Sequence, residues 1–403
     1  MIPFAIDAVP PLAGVRVLDA ARVLAGPFCG QLLADLGADV VKLERPGAGD
    51  DTRGWGPPFT ADGMSAYFMS CNRGKRSLTL DIGHPDGNVV FHRLLDTSDV
   101  FIENLRSDSA EKLGLAPDKL LARHPRLIAC SISGFGRTGP LCDAPGYDFA
   151  IQAMSGLMGI TGPVDGPPYK VGVALADVLT GLYASTAILA CLRARERTGH
   201  GYAIDLGLLD CALASQVNVA QAYLTSGKVP ARQGNAHLQI VPYELFATAD
   251  GYLVLNVGND SQWKSFCTVA GAGELGSEPR FTTNRQRVEL RSEVVPLVAA
   301  IMKRLPTAEW EQRLTAANVP HAVAQDYAGA FAHEQTAARE MKVTIHDPAG
   351  NPVDLIGHPI HLTGAPTAAP TMPPRLGEQT DAVLRELGLG AEELASLRAK
   401  GVV

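Results

Sequence analysis

Residues Val15 to Glu44 place two short apolar runs on either side of a segment whose leucines fall on one helical face. That order commits this part of the chain to a parallel α/β sheet. Val15–Leu18 reads as a strand, FCGQLLADLG as a helix with Leu32, Leu33 and Leu36 together, and ADVVKLE, from Ala38 to Glu44, as a second strand. Parallel neighbours need a helical crossover of this kind. The alternation continues through RSLTLDI, a helix from Pro85, SDVFIEN, a helix around Ala110 to Leu113, and RLIACSISG. Ligands of open α/β sheets bind at the loops beyond the strand ends, which here are rich in Gly, Pro and Arg.

The first unit imitates a dinucleotide fold, with Glu44 where a ribose-binding acid would stand. Its turn reads LAGPFCG instead of GxGxxG, with Pro27 in the middle, which argues against a nicotinamide or flavin enzyme. A GxSxG elbow, HExxH and a Walker loop are also missing, and His358 and His361 in GHPIH read as structural residues, so no metal is expected.

With 403 residues, two domains are expected. Residues 1–227 plus 333–403 read as a large α/β domain and 228–332 as a small α+β domain with two strands joined at Asp250–Gly251. The Pro-rich TGAPTAAPTMPPRLG suggests a segment wrapping over another surface, and two short helices are expected after Gly377. A net charge of −7 without a Lys/Arg block excludes nucleic acid as a main partner. The N-terminal MIPFAIDAVPPLAG has no basic leader pattern, so a cytoplasmic protein is expected. Seven cysteines with no CxxC read as reduced, mostly core thiols.

The longest nearly uninterrupted apolar passage, VGVALADVLTGLYA, carries one carboxylate, Asp177. Val171–Ala176 reads as a strand or extended segment and Thr180–Arg197 as a helix. Asp177 at their junction has two available roles: capping the helix, or acting as an ionised nucleophile toward an acyl group. The passage is long enough to span a bilayer, but it contains Asp177 and leads into RARER, so a buried core helix is the better reading and no membrane is expected.

Taken in order, ARVLAGP, VVKLERPGAGDDTRGWGPPF, CNRGKRSLTLD, SDVFIENLRSDSAEKLG, SISGFGRTGP, PGYDF and ADVLTGLYA resemble the class III CoA-transferases of the CaiB/BaiF type over nearly the whole chain. The resemblance implies a Rossmann-like large domain with a smaller α+β domain, in an interlocked-ring homodimer. It makes Asp177 the catalytic nucleophile, passing through mixed-anhydride and aspartyl-CoA intermediates. The tetrahedral oxyanions of such chemistry need donors, and the helix start at Val178 to Gly181 is the candidate source. The resemblance assigns Val23, Arg45, Leu80, Asn104 and Lys112 to the CoA track. Trp55, Tyr147, Asp148 and, in the small domain, His237 become substrate-side candidates, and Arg53 a possible carboxylate binder.

Racemases of the family carry a His where this chain has Tyr147. A phenol titrating near pH 10 is a poor base at neutral pH, so transfer is favoured over racemisation; the remaining alternative is a non-catalytic acyl-CoA-binding protein. The wording GAGDDTRGWGPPF, PGYDF and VPYELFATADGYLV is most like the succinyl-CoA:glutarate branch, which implies dicarboxylic acids as donor and acceptor. Coenzyme A is then a substrate, and no further cofactor is implied.

Overall fold

In the computed structural model, residues 9–403 are described; most of the N-terminal passage read against a leader lies outside them. The chain divides into two compact units, residues 1–156, 171–217 and 334–403, and residues 157–170 with 218–333. The second unit therefore takes up 157–170 and 218–227, which the sequence had assigned to the large domain. Arg232 ties the first of these segments in, donating to Pro163 O at 3.2 Å and Gly166 O at 2.7 Å.

The first unit is built on six parallel strands in the order β3-β2-β1-β4-β5-β6. They are β1 Arg16–Asp19, β2 Asp39–Glu44, β3 Lys75–Thr79, β4 Val100–Glu103, β5 Ile128–Ser133 and β6 Tyr202–Gly207. β6 was not anticipated. Successive side chains point to opposite faces. Leu18, Leu43 and Leu78 pack with Phe91, Leu94 and the C-terminal Val383, Leu384 and Leu397. On the other face Val17, Val40 and Ile102 pack with Cys29, Leu33, Ala184 and Ile188. Both faces are covered, which is why these strands read as continuous apolar runs.

The C-terminal tail also closes one sheet edge. Gln379 N donates to Ser77 O at 2.9 Å, Ser77 N to Gln379 Oε1 at 2.8 Å, and Thr79 N to Thr380 Oγ1 at 3.0 Å. The exposed ladder groups of β3 are thus satisfied by side chains and tail backbone. Earlier in the tail, β10 Lys342–His346 and β11 Pro352–Ile356 form an antiparallel hairpin.

In the second unit, β7 Tyr243–Ala247, β8 Tyr252–Asn256 and β9 His321–Val323 form a small antiparallel sheet. Its core holds Trp263, Phe266, Met302 and Trp310. Residues 285–304, whose sequence reads as one helix, form two, Asn284–Glu289 and Arg291–Met302, broken at Leu290.

Candidate active site

Strand order decides where a ligand belongs. In a 3-2-1-4-5-6 sheet the chain leaves β1 and β4 in opposite directions, opening a crevice beyond their C-terminal ends. Two loops flank it, Ala20–Leu24 after β1 and Asn104–Arg106 after β4. Asn104 bridges them: its Oδ1 accepts from Arg22 N at 2.8 Å and its Nδ2 donates to Arg22 O at 2.7 Å. Val23 lies in this loop with φ of +71°, an uncommon conformation for a β-branched residue. It persists because Val23 N also donates to both Asp50 oxygens at 3.3 Å.

Asp50 is anchored in turn by Lys42 on β2, whose ammonium lies 2.8 Å from Asp50 Oδ2 and donates to Ala21 O at 3.0 Å. Both side chains are fully buried. Burial alone would raise the Asp50 carboxyl, but the charge of Lys42 and the hydrogen bonds from Lys42 and Thr52 together outweigh it and hold it below its ordinary value. Beside it, Lys75 on β3 reaches Asp19 Oδ2 at 2.8 Å, Pro27 O at 2.7 Å and Asn72 Oδ1 at 2.9 Å. These buried pairs fix the loop after β1 and the start of the following Ala25–Asp35 helix.

The candidates named for the CoA track separate on this frame. Val23 and Asn104 lie in the two crevice loops. Arg45 is exposed just past β2, where its guanidinium shares Asp51 with Arg22, at 3.9 and 3.0 Å. Lys112 is exposed at the end of the Ser107–Lys112 helix and makes no ion pair among the described residues. Leu80 departs from expectation: at 2% exposure its side chain is part of the core, and its amide donates to Glu44 O at 2.9 Å. Arg53 does too. Its guanidinium holds Glu44 at 2.8 and 2.6 Å, donates to Pro374 O at 3.0 Å and stacks over Phe68, which leaves it no free face for a substrate carboxylate. Glu44, the mock ribose acid, is consumed in that pair.

Asp177 is placed by the Leu175–Thr198 helix, which starts five residues before the sequence suggested and leaves Val171–Ala174 as a loop instead of a strand. The N-cap is Ala174, without a side-chain cap, and Asp177 is the third helical residue. The capping reading therefore fails. The cap comes from another helix, Asp148–Met154, whose Asp148 Oδ1 accepts from Ala176 N at 2.8 Å. The amides of Val178 to Gly181 are not free donors either, since the helix has already begun; Val178 N, for one, is taken by Ala174 O.

Among the described residues nothing donates a hydrogen bond to the Asp177 carboxylate, and it forms no ion pair. Burial, and then the charge of Asp148, push its pKa up from 3.8 to about 7. The result is a carboxylate with free oxygen lone pairs, divided between its two protonation states near neutrality. Small residues bring its helix close to the Ala25–Asp35 helix: a β-carbon at Gly181 would lie 2.8 Å from Ala25 O.

An aromatic pair belongs to the same region. Trp55, 41% exposed, meets Tyr67 edge-on at 5.0 Å between ring centroids, and Ser65 Oγ donates to Trp55 O at 2.5 Å. Tyr67 was not singled out from sequence. Burial first, and then the Asp177 charge, push its phenol up to about 12, so it stays a protonated donor near the carboxylate. Tyr147 is 69% exposed at the start of the Asp148–Met154 helix, where the backbone of Gly146 is packed against that of Gly134. Asp148 uses both oxygens within the protein, the second accepting from Gln152. His237 belongs to the second unit, where its Nδ1 accepts from Gln239 N at 3.0 Å and burial lowers its pKa.

The thiols offer no rival nucleophile in this region. Burial raises Cys71 to about 11 and lifts Cys29 and Cys130 further. Among the described residues no group of three or more His, Cys, Asp or Glu side chains is arranged to hold a metal ion.

The family model described as CoA-transferase family III matches residues 12–380. The chain belongs to that family. The enzyme is 45% identical over 388 residues to succinate–glutarate CoA-transferase of Agrobacterium fabrum, across 94% of this chain and 96% of that one. It is 40% identical over 381 residues to succinyl-CoA:glutarate CoA-transferase of Mus musculus, across 94% and 87%. A crystal structure of a CaiB/BaiF family protein from Brucella suis superposes with a TM-score of 0.82 at 43% identity, across 94% of this chain and all of that one. The enzyme is a CoA-transferase, with CoA thioesters as its substrate class.

Proposed function

We propose that this transferase moves CoA from succinyl-CoA to a small dicarboxylate such as glutarate through covalent intermediates on Asp177. The observation that carries the mechanism is the Asp177 carboxylate: without a hydrogen bond or ion pair among the described residues, fixed at a helix start, and pushed up to about 7 by burial and the Asp148 charge. A carboxylate oxygen of Asp177 attacks the thioester carbonyl and CoA leaves as thiolate, giving a mixed anhydride. The thiolate then attacks the aspartyl carbonyl, succinate leaves, and an aspartyl-CoA thioester remains. The acceptor carboxylate repeats the first step on that thioester, and the thiolate attacks the acceptor acyl carbon, restoring Asp177. Each step exchanges one activated acyl bond for another, so no external energy source or metal is called for.

The donor and acceptor are supported by the names of the two transferases reported above. Arg22, Arg45 and Lys112 supply cations suited to the CoA phosphates. Tyr67 supplies a donor for the developing oxyanion.

The active form in this proposal is an interlocked homodimer in the cytoplasm. Phe149, Met154, Leu182, Tyr183 and Leu213 are all exposed on the first unit, apolar surface that a second copy of the chain would cover. The Leu175–Thr198 helix is long and apolar enough to cross a membrane. Its Ala184 and Ile188 are packed in the core, and we assign the helix to the core and the subunit interface. The test is a steady-state assay of purified protein with succinyl-CoA and a panel of mono- and dicarboxylic acids. Glutaryl-CoA formation above that with monocarboxylates is expected; no CoA ester from any dicarboxylate would overturn the substrate assignment.

A further inference from the structure

Gln152 carries more hydrogen bonds than its place in the chain would suggest. It is completely buried in the Asp148–Met154 helix. Its Nε2 donates to Asp148 Oδ2 at 2.7 Å and to Val173 O at 3.3 Å, and its Oε1 accepts from Val171 N at 2.9 Å. One amide therefore holds both ends of the Val171–Val173 turn and one oxygen of Asp148. The other oxygen of Asp148 caps Ala176, the residue immediately before Asp177. Because Ala174 offers no side-chain cap, this path from Gln152 through Asp148 is what fixes the helix start. A buried amide is desolvated at a cost unless all its groups are paired, and here they are.

We propose that Gln152 is a positioning residue of the transfer reaction: its amide locks the Val171–Val173 turn and the Asp148 carboxylate so that Asp177 faces the thioester carbonyl. The proposal rests on Asp177 being the nucleophile. Gln152 touches neither the reacting atoms nor solvent, so its effect falls on the rate of attack more than on thioester binding. A misplacement of an ångström at a reacting group is enough for about a hundredfold loss.

The test is the single-turnover rate of acyl transfer onto Asp177, followed by intact-protein and peptide mass spectrometry with succinyl-CoA, for the native enzyme, Gln152→Leu and Gln152→Glu. Thioester affinity is measured in parallel on the same proteins. Gln152→Leu removes every bond. Gln152→Glu keeps the volume and the acceptor for Val171 N but turns the donor toward Asp148 into a second carboxylate, and guards against a Leu variant that does not fold. Asp148 on the same helix faces the change directly, and Lys170 precedes the Val171 amide that Gln152 holds; the Asp148 charge in turn acts on Asp177 of the long helix and Tyr67 of the Ala66–Ser70 helix.

Rates are expected to fall at least tenfold in both variants with thioester affinity within threefold of native. The Gln152→Glu rate, taken as a ratio to native, should rise as pH is lowered and the new carboxyl regains a proton to donate. A folded variant that acylates at the native rate would overturn the proposal. So would a deficit in Gln152→Glu that is independent of pH and accompanied by lost thioester binding, the pattern of a merely structural role. If the native enzyme itself is not labelled at Asp177, the nucleophile assignment fails first, and that outcome is read on the native protein without reference to Gln152.

Discussion

Replacing Asp177 by Asn should make the enzyme more stable while abolishing transfer. Burial and the Asp148 charge raise the Asp177 pKa from 3.8 to about 7, so the folded state holds the proton more tightly than the unfolded chain. Ionisation of Asp177 therefore opposes folding. The penalty is absent below pH 3.8, grows by about 1.4 kcal/mol per pH unit up to the folded pKa, and is level above it. The interval of roughly three units sets a ceiling of about 4 kcal/mol above pH 7. An Asn at this position carries no such penalty, and because nothing among the described residues donates to the carboxylate, none of their hydrogen bonds is lost with it. Urea unfolding of both proteins between pH 5 and pH 8 reads the difference directly. Asp177→Asn should gain on the native protein across this range until about pH 7 and then run parallel to it. A pH-independent difference, or a native protein more stable than the variant at pH 8, would refute the reasoning.

Two further substitutions test the frame. Gly181→Ala adds a methyl 2.8 Å from a backbone oxygen of the neighbouring helix. The usual helical gain of about 1 kcal/mol should be reversed to a loss of about 1–3 kcal/mol, with transfer activity falling because Asp177 lies one turn away; calorimetry showing a more stable variant would contradict this. Lys42→Met leaves the buried Asp50 carboxylate and Ala21 O without their cation, and should cost about 3–5 kcal/mol in denaturant unfolding. A loss below about 1 kcal/mol would mean that the pair does not anchor the Val23 loop.

The parallel sheet was legible in the sequence because its strands are buried on both faces and its helices show their period. The failed dinucleotide turn was legible as well: Pro27 and the missing glycines stand where a cofactor loop would be, although the strand order is of the dinucleotide type. Asp177 stood out because a carboxylate interrupts an apolar run. What was not legible depended on distant partners. Lys42 lies between Val41 and Leu43 in a strand covered on both sides, and this was a signal: a lysine there has to find a buried acid. Its partner Asp50 could not be named from spacing. The helix start was misplaced because its cap comes from Asp148, 28 residues away from Ala176. Gln152 left only the faint mark of an i, i+4 pair with Asp148. Leu80 ends the apolar alternation of RSLTLDI, which already admitted core packing beside the CoA-track reading, whereas Arg53 could not be read as an ion-pair residue because only the folded chain brings Glu44 to it.

The central claim is that Asp177 carries the acyl group. The most direct measurement is intact-protein mass spectrometry after mixing with succinyl-CoA, followed by hydroxylamine trapping and peptide mapping. A hydroxamate on Asp177, absent from Asp177→Asn, is the predicted result. Transfer of CoA to glutarate at a normal rate by Asp177→Asn, or trapping at another carboxylate, would contradict it.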